Sequence, residues 1–517
     1  MSNVAEKSPS RSQSQPGGKV PVHGHFIDGA ESPSSGGALL DVLNPSTGEV
    51  IARIAHGTDE DVDRAVKSAR RAFESKEWGG LNERTRARLV NKLADAFEAN
   101  LEELYQLETA NNGRPVNETR AQVSRLPDFL RYNAGLALAR RDAVIPVQGP
   151  YLNYTLRTPL GVVGNSTPFN HPLMIMVKSL GPVFASGCTT VVKPSEYTPL
   201  TSLRLAEIFT EAGLPPGVFN LVTGLGPTTG KALASHPGLD KFVLTGGTEA
   251  GRITGALAGE RFVHQTLELG GKTPVLVFDD FDVDQAVNYA AFGAFIGAGQ
   301  TCICGSRQIV HAKVYDEFVE KLAKKAKTIR IGNPSDPTVQ LGPVISAKQR
   351  KRVLDYVEIG LKEGARLVAG GRVPADPGLA NGFFVEPTVF ADVGPRMRIF
   401  QEEVFGPFTS VTKFHDEAEG IALANDSPFG LAGAVRTMNV ARAHRVAAKL
   451  RCGIVWINDH HRLDPASPWG GVGMSGIGRE CGTESFDAHF QTKSVMVKVD
   501  EGPFDWYRDT ANQPRLN

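Results

Sequence analysis

The chain has 517 residues, of which 41% are hydrophobic and 22% are charged, as expected for a globular protein with two or three domains. Lys and Arg together number 56, as do Asp and Glu, so the formal net charge is zero. This balance argues against bulk electrostatic binding to nucleic acid or to a membrane, and no apolar run is long enough for a transmembrane helix. The five cysteines are an odd and sparse set, which favours a reducing compartment and a cytoplasmic protein without a disulfide framework.

Residues 1–22 are rich in Ser, Pro, Gln and Gly, which predicts a disordered tail and no signal peptide. Helices are expected between residues 60 and 111. From residue 160 to residue 269, strand-like runs alternate with helical stretches, which predicts an open parallel sheet with helices on both faces. A second α/β region is expected from about Lys272 to Cys481. Its predicted strands are 275–278, 307–310, 385–390 and 454–458, and its predicted helices are 283–296, 315–326, 347–363 and 440–450. Strands at 151–157 and 494–499 lie outside both regions, where they could pair with another subunit or form an internal hairpin.

Cys302 stands between a glycine-rich turn at 297–299 and the start of a predicted strand at Arg307. Small residues on both sides leave room for a ligand to approach the sulfur. A nucleophilic cysteine would need an oxyanion donor and a base elsewhere in the chain. The pair Cys302 and Cys304 has only His311 nearby, so no metal site is predicted.

Two further motifs could supply those groups. Asn170 lies in a loop stiffened by Pro168 and Pro172, where its amide could donate to a developing oxyanion, although Asn in a loop more often caps a turn. Glu268 stands between two leucines, and an apolar setting would raise its pKa and suit a general base. An outward-facing Glu on an alternating strand is the commoner alternative.

Three motifs could bind a nucleotide. Gly246, Gly247 and Gly251 stand at a strand-to-helix turn, where backbone N–H groups can approach a pyrophosphate. Lys193 and Glu196 follow a strand and could bind ribose hydroxyls, as could the acidic pair that ends at Glu403. Alone, the glycine motif is equally typical of a tight turn. The Lys193–Glu196 pair alone is more often a solvated pair at a strand end, and the acidic pair alone is more often a solvated loop.

Taken together and in this order, these motifs resemble the NAD(P)-dependent aldehyde dehydrogenase superfamily over roughly residues 25–500. The resemblance implies an α/β fold with an open parallel, Rossmann-like cofactor-binding domain, an α/β catalytic domain and a small β oligomerisation extension. It also implies a homodimer or homotetramer. The implied boundaries are 23–144 and 164–271 for the cofactor-binding domain, 272–482 for the catalytic domain, 145–163 and 483–500 for the oligomerisation strands, and 501–517 for a C-terminal extension.

By the same resemblance, Cys302 attacks an aldehyde to give a thiohemiacetal and then a thioester. Asn170 and the Cys302 N–H hold the oxyanion, and Glu268 activates the water that hydrolyses the thioester. The alternatives are a CoA-acylating semialdehyde dehydrogenase, which would lack the Glu at 268, and a non-catalytic protein that retains the fold.

The implied cofactor is NAD, because Glu196 would bind a free 2′-hydroxyl and repel a 2′-phosphate; NADP stays open as an alternative. The implied contacts surround the ribose, pyrophosphate and nicotinamide. They are Ser166, Thr167, Pro168, Phe169, Lys193, Ser195, Glu196, Gly246, Gly247, Gly251, Leu269, Glu403 and Phe405.

The implied small-molecule substrate is an aldehyde whose pocket carries unusual polar groups. Lys178 and Arg462 could meet a substrate carboxylate, or equally could point to solvent or pair with Asp459 or Asp464. We therefore expect a polar, carboxylate-bearing or aromatic aldehyde. The expected pocket residues are His171, Lys178, Phe295, Ile296, Thr301, Ile303, His461, Arg462, Leu463 and Trp469.

Overall fold

The computed structural model describes residues 20–501 and residue 507. Most of the predicted tail (1–22) and of the C-terminal extension (501–517) lies outside these residues. Helices cover the faces of two large sheets, and no helix among the described residues is long and apolar enough to cross a membrane. The α-helices are Asp59–Glu74, Glu83–Ala99, Leu101–Asn112, Val116–Val123, Pro127–Ala139, Pro172–Ser186, Leu200–Glu211, Lys231–Ser235, Thr248–Gly259, Val283–Phe295, Tyr315–Thr328, Ala347–Lys362, Arg398–Gln401, Glu417–Asn425, Val440–Ala447 and Gly482–Asp487.

The first large sheet has eight strands, and its five central strands are parallel. Antiparallel strands cover both edges, which leaves the central strands buried. The order across the sheet is Gly476–Ile477, His264–Glu268, Lys241–Thr245, Val162–Ser166, Thr189–Lys193, Phe219–Leu221, His25–Ile27 and Ala30–Ser32.

The second large sheet has seven strands, which are parallel except at one edge. The two sheets confirm the predicted α/β class with an open parallel sheet. The order is Arg366–Ala369, Thr388–Ala391, Phe408–Phe414, Arg307–His311, Pro274–Val277, Ala432–Arg436 and Ile454–Ile457.

Three smaller sheets complete the fold. The strands predicted outside the main regions form one of them, in which Phe490–Lys498 pairs antiparallel with Tyr151–Pro159, and Tyr151–Pro159 with Val144–Ile145. The strand Val162–Ser166 belongs to the eight-stranded sheet, so the predicted domain boundary at 163 falls inside a strand. The remaining strands are Val22–His23, Val50–Ala55 and Leu39–Leu43 in one sheet, and Phe429–Gly430 with Val472–Gly473 in another.

The strand order determines where a site can form. Four neighbouring parallel strands of the first sheet end at Ser166, Lys193, Thr245 and Glu268, so these ends share one edge. Ligands of open α/β sheets bind at this edge. The edge strand Gly476–Ile477, which comes from the predicted catalytic segment, pairs with the strand that ends at Glu268. Residues of both predicted domains therefore meet beside Glu268.

Candidate active site

The loop that carries Cys302 is held by tight backbone packing. The helix Val283–Phe295 runs into a left-handed turn, with φ of 59° at Gly297 and 67° at Gly299. A Cβ at Gly299 would lie 1.9 Å from the Gly406 carbonyl oxygen, so this position requires glycine. Beyond the turn, the Cys304 N–H donates to the Thr301 carbonyl at 2.9 Å. These constraints fix the backbone on both sides of Cys302.

Cys302 is partly buried, and its surroundings favour the protonated thiol. Burial raises its pKa to about 12, and the nearby carboxyls of Glu268 and Glu403 add to the shift. The Lys178 ammonium opposes it. Because the thiolate is the nucleophile, attack on a substrate requires loss of the thiol proton.

Glu268 ends its strand as a buried carboxyl. Its Oε1 has no hydrogen-bond partner in the described part of the chain. A Cβ at Gly470 would lie 2.7 Å from Oε1, so glycine there leaves space for the carboxyl. Burial raises the pKa of Glu268 well above its usual value, and repulsion from Glu480 acts in the same direction. A buried carboxyl with a raised pKa and a free oxygen can act as a general base.

Lys178 is buried and forms an ion pair with Glu480, which is also buried. Its ammonium lies 5.4 Å from the ring centre of Trp469. Sequence reasoning offered solvent, Asp459, Asp464 or a substrate carboxylate as its partner and missed Glu480. Nothing in the sequence relates these two positions, because strand and helix packing alone brings them together. The Lys178 ammonium, which was predicted to bind a substrate carboxylate, is therefore already paired with Glu480.

Asn170 lies beyond the carboxyl end of the strand Val162–Ser166 and is buried. The Asn112 side-chain amide donates to the Phe169 carbonyl at 2.5 Å, and this hydrogen bond anchors the backbone of the loop. Asn170 Oδ1 has no partner among residues 20–501. The loop is thus fixed through its backbone, while the Asn170 side chain remains available for a ligand.

The predicted cofactor residues surround one edge of the first sheet. The Thr167 N–H donates to the Lys193 carbonyl at 3.1 Å, and the Gly246 N–H to the Glu268 carbonyl at 3.0 Å. Gly247 precedes the helix Thr248–Gly259 without capping it by a side chain, and a Cβ there would meet open space. The first N–H groups of this helix are therefore open to an anion.

Two further cofactor candidates reach this edge from the second domain. Glu403 Oε1 accepts a hydrogen bond from the Gly271 N–H at 2.9 Å, and burial raises the pKa of Glu403 to about 7. Phe405 packs edge-to-face on Phe169, with ring centres 5.8 Å apart. Of the remaining candidates, Gly251 lies in the first turn of the helix Thr248–Gly259. The others lie on the same strand ends and loops: Ser166, Pro168, Ser195, Glu196 and Leu269.

The other predicted pocket residues differ in exposure. Arg462 is exposed, so its side chain is separate from the buried groups around Cys302. His461 packs edge-to-face on Phe292, with ring centres 5.4 Å apart, and its Nε2 is buried without a partner among the described residues. Sequence reasoning missed Phe292, which no motif marked. The buried pocket candidates are Phe295, Thr301, Ile303 and Trp469, and the partly buried ones are Ile296 and Leu463.

Comparison with known proteins gives a consistent result. The sequence profile described as Aldehyde dehydrogenase family matches residues 32–495. The mitochondrial aldehyde dehydrogenase of Homo sapiens is 43% identical over 460 residues, which are 88% of each chain. Betaine aldehyde dehydrogenase from Staphylococcus aureus, solved with NAD+, superposes with a TM-score of 0.93 at 39% identity, over 94% of this chain and 97% of that one. PnpE from Pseudomonas sp. WBC-3, solved with nicotinamide adenine dinucleotide, superposes with a TM-score of 0.92 at 43% identity, over 94% of this chain and 100% of that one.

The fold is that of an α/β oxidoreductase, with two large, mostly parallel sheets whose strand ends and loops carry the candidate site. The chain belongs to the aldehyde dehydrogenase family, and it is an oxidoreductase that acts on aldehydes.

Proposed function

We propose that the protein oxidises an aldehyde to a carboxylic acid with NAD, through covalent intermediates on Cys302. The thiol gives up its proton to solvent, and the sulfur bonds to the aldehyde carbon to give a thiohemiacetal. The Cys302 N–H and the Asn170 amide donate to its oxyanion. Loss of hydride from the carbon leaves a thioester, which water hydrolyses with Glu268 as general base. This step releases the acid and regenerates the thiol.

One observation carries this proposal: a buried carboxyl with a raised pKa, Glu268, lies in the electrostatic environment of a partly buried thiol, Cys302. The free Oε1 of Glu268 can accept a proton from water. This arrangement supports hydrolysis over transfer of the acyl group to coenzyme A, which needs no base at this position.

The residues at the sheet edge fit a dinucleotide. The uncapped N-terminus of the helix Thr248–Gly259 suits a pyrophosphate, and Lys193 with Glu196 suits an adenosine ribose. Glu403 would hold the nicotinamide ribose, and Phe405 would pack beside it. NAD, when bound, supplies the acceptor for the hydride. Two structural neighbours were solved with NAD, which supports NAD over NADP here.

Replacing Glu268 by Gln tests the assignment of the base. The amide keeps the shape of the side chain but cannot take up a proton, so hydride transfer should continue for one turnover and the acyl group should remain on Cys302. Intact-mass spectrometry should detect the added acyl mass, together with a single burst of NADH. Glu320→Gln, on the exposed face of the helix Tyr315–Thr328, is the matched control and should turn over normally. Normal steady-state turnover of the Glu268→Gln variant would contradict the role of the base.

A further inference from the structure

His171 follows Asn170 directly, and the structure determines the tautomer of its ring. Arg114 Nη1 lies 2.6 Å from His171 Nδ1 and 2.8 Å from Gln122 Oε1. A guanidinium only donates hydrogen bonds, so the two hydrogens of Nη1 serve these two acceptors. Nδ1 also lies 3.1 Å from Gln122 Oε1, but a proton on Nδ1 would face the donor-only Arg114 Nη1 at 2.6 Å. His171 Nδ1 is therefore an acceptor, and in the neutral ring the proton resides on Nε2.

Buried groups hold Arg114 in place. It forms an ion pair with Glu108, and both side chains are almost fully buried. The Leu173 N–H donates to Glu108 Oε2 at 3.2 Å, which connects the pair to the helix that begins next to His171. Burial and the positive charge of Arg114 lower the pKa of His171 well below its usual value. The ring is therefore neutral, and its tautomer is set by a fixed framework.

The His171 ring lies beside the turn that leads to Cys302. Its Cε1, the atom between the two ring nitrogens, would lie 3.9 Å from a Cβ at Gly297, in the turn that leads to Cys302. Among residues 20–501, no group accepts a hydrogen bond from Nε2. A donor of fixed orientation thus stands next to Asn170, without a protein partner.

We propose that His171 is a specificity-determining residue whose Nε2–H donates to an oxygen acceptor on the substrate, so that the preferred aldehydes carry a hydroxyl or carboxylate group besides the aldehyde. This inference rests on the proposed function. Lys178 cannot play this part while it is paired with Glu480, whereas Nε2 of His171 has no partner among the described residues. A hydrocarbon aldehyde would leave the donor unsatisfied, which disfavours it by about tenfold or more.

Steady-state kinetics on one set of aldehydes tests the inference. The set is benzaldehyde, the three positional isomers of hydroxybenzaldehyde and the three positional isomers of carboxybenzaldehyde. For the wild type, we expect kcat/KM of at least one substituted aldehyde to exceed that of benzaldehyde by about tenfold or more. The hydroxy and carboxy members show which acceptor the site prefers.

His171→Phe keeps the ring and removes the donor. It should bring kcat/KM of the preferred substrate to within about twofold of that of benzaldehyde, measured on the same variant. Thermal unfolding of the variant with a midpoint near that of the wild type shows that it is folded. His171→Asn keeps an N–H donor and should retain part of the preference. Unchanged discrimination in His171→Phe, or equal rates for all members in the wild type, would overturn the inference. A wild type that oxidises no aldehyde would instead overturn the proposed function.

Discussion

The two cysteines of the central loop, Cys302 and Cys304, differ in their position and not in the pKa of their thiols. Burial raises the pKa of both Cys302 and Cys304 to about 12. Cys304 is buried, and its Sγ donates to the Ala294 carbonyl at 3.5 Å, so its thiol already has a hydrogen-bond partner within the protein. Cys302 is more exposed and has Glu268 among its electrostatic neighbours.

Cys302→Ser should therefore lower kcat by a factor of about 10³ or more, because a hydroxyl is a much weaker nucleophile than a thiolate. Cys304→Ala, the matched control, should keep kcat within about threefold and cost about 1–2 kcal/mol of stability through the small cavity. NADH formation and thermal unfolding measure the two effects. Comparable losses of activity in both variants would contradict the assignment of Cys302.

The buried charges near Glu268 predict how the hydrolytic step depends on pH. With its pKa raised, Glu268 gains activity as the pH rises and the carboxyl loses its proton. Lys178 lowers that pKa and Glu480 raises it. Lys178→Met should thus move the rising limb of the kcat profile to higher pH, and Glu480→Gln should move it to lower pH, each by up to about one unit.

These shifts are measured most directly by the rate of acyl-enzyme hydrolysis in a single turnover between pH 6 and 9. Glu320→Gln removes an exposed carboxyl on the helix Tyr315–Thr328, outside this buried group, and should leave the limb in place. Shifts of the same sign in the Lys178 and Glu480 variants would contradict the electrostatic explanation.

At the scale of elements, helices were predictable where an apolar stripe and start signals coincide. The helix predicted from Val283 to Ile296 spans Val283–Phe295, and the one predicted from Ala347 to Glu363 spans Ala347–Lys362. The strands Ala432–Arg436 and Phe408–Phe414 were missed. The first is built of small residues with weak β preference, and the second alternates apolar residues with Ser and Thr that bond buried carbonyls.

The site was predictable only in part, for a related physical reason. Local motifs mark Cys302, Glu268 and the glycines, because tight turns restrict the residue type. The partners of Lys178 and His171 come from remote segments, at Glu480 and Arg114. Burial forces such polar groups to find partners, but the sequence does not record which ones.

The start of the helix Asp59–Glu74 supports a prediction about stability. Asp61 is buried and forms a capping box with Thr58, while its carboxylate also accepts hydrogen bonds from Ser35 and Arg64. Burial alone would raise its pKa, but the hydrogen bonds from Thr58, Arg64 and Ser35 hold the pKa well below the usual value. Asp61→Asn should lower the free energy of unfolding by about 2–4 kcal/mol at pH 7.

The sign of the pH dependence follows from the lowered pKa. The stabilisation is fully present above the unfolded pKa of about 3.9 and is lost as the pH falls towards the folded value. Urea unfolding at pH 7 and at pH 3.5 should therefore show a smaller difference between wild type and Asp61→Asn at the lower pH. Asp59→Asn, exposed in the same helical turn, should cost less than about 1 kcal/mol at both. A difference that grows at pH 3.5 would contradict this account.

At the scale of the whole molecule, contacts between the two domains hold the site together. Glu403 bonds to Gly271, and the Ser475 hydroxyl donates to the Gly270 carbonyl at 2.7 Å. The Leu269 N–H in turn donates to the Ser475 carbonyl. Residues 269–271, which follow Glu268, are thus held by hydrogen bonds to Glu403 and Ser475. The geometry of the site therefore depends on the packing of these remote segments.

The small sheet presents an apolar face to solvent. In its antiparallel register Leu152 pairs with Val497, Tyr154 with Val495, and Val144 with Tyr154, so these side chains share one face. Leu156 and Val499 follow the same alternation. Val144, Leu152, Val497 and Val499 are all exposed. Lys493 pairs with Leu156 at one end of this face. An exposed apolar face of this kind is typical of an interaction site, and the role of these strands in subunit contacts stays a prediction.

Placing charge on that face should therefore weaken self-association. The double variant Leu152→Lys and Val497→Lys puts two like charges on directly paired positions, and burying them in an interface would cost several kcal/mol. Sedimentation velocity should show a smaller assembly than the wild type at the same concentration. Leu361→Lys replaces an equally exposed apolar residue on the helix Ala347–Lys362 and should not change the assembly. An unchanged mass in the double variant would place the subunit contacts elsewhere. A monomeric wild type would contradict the predicted self-association.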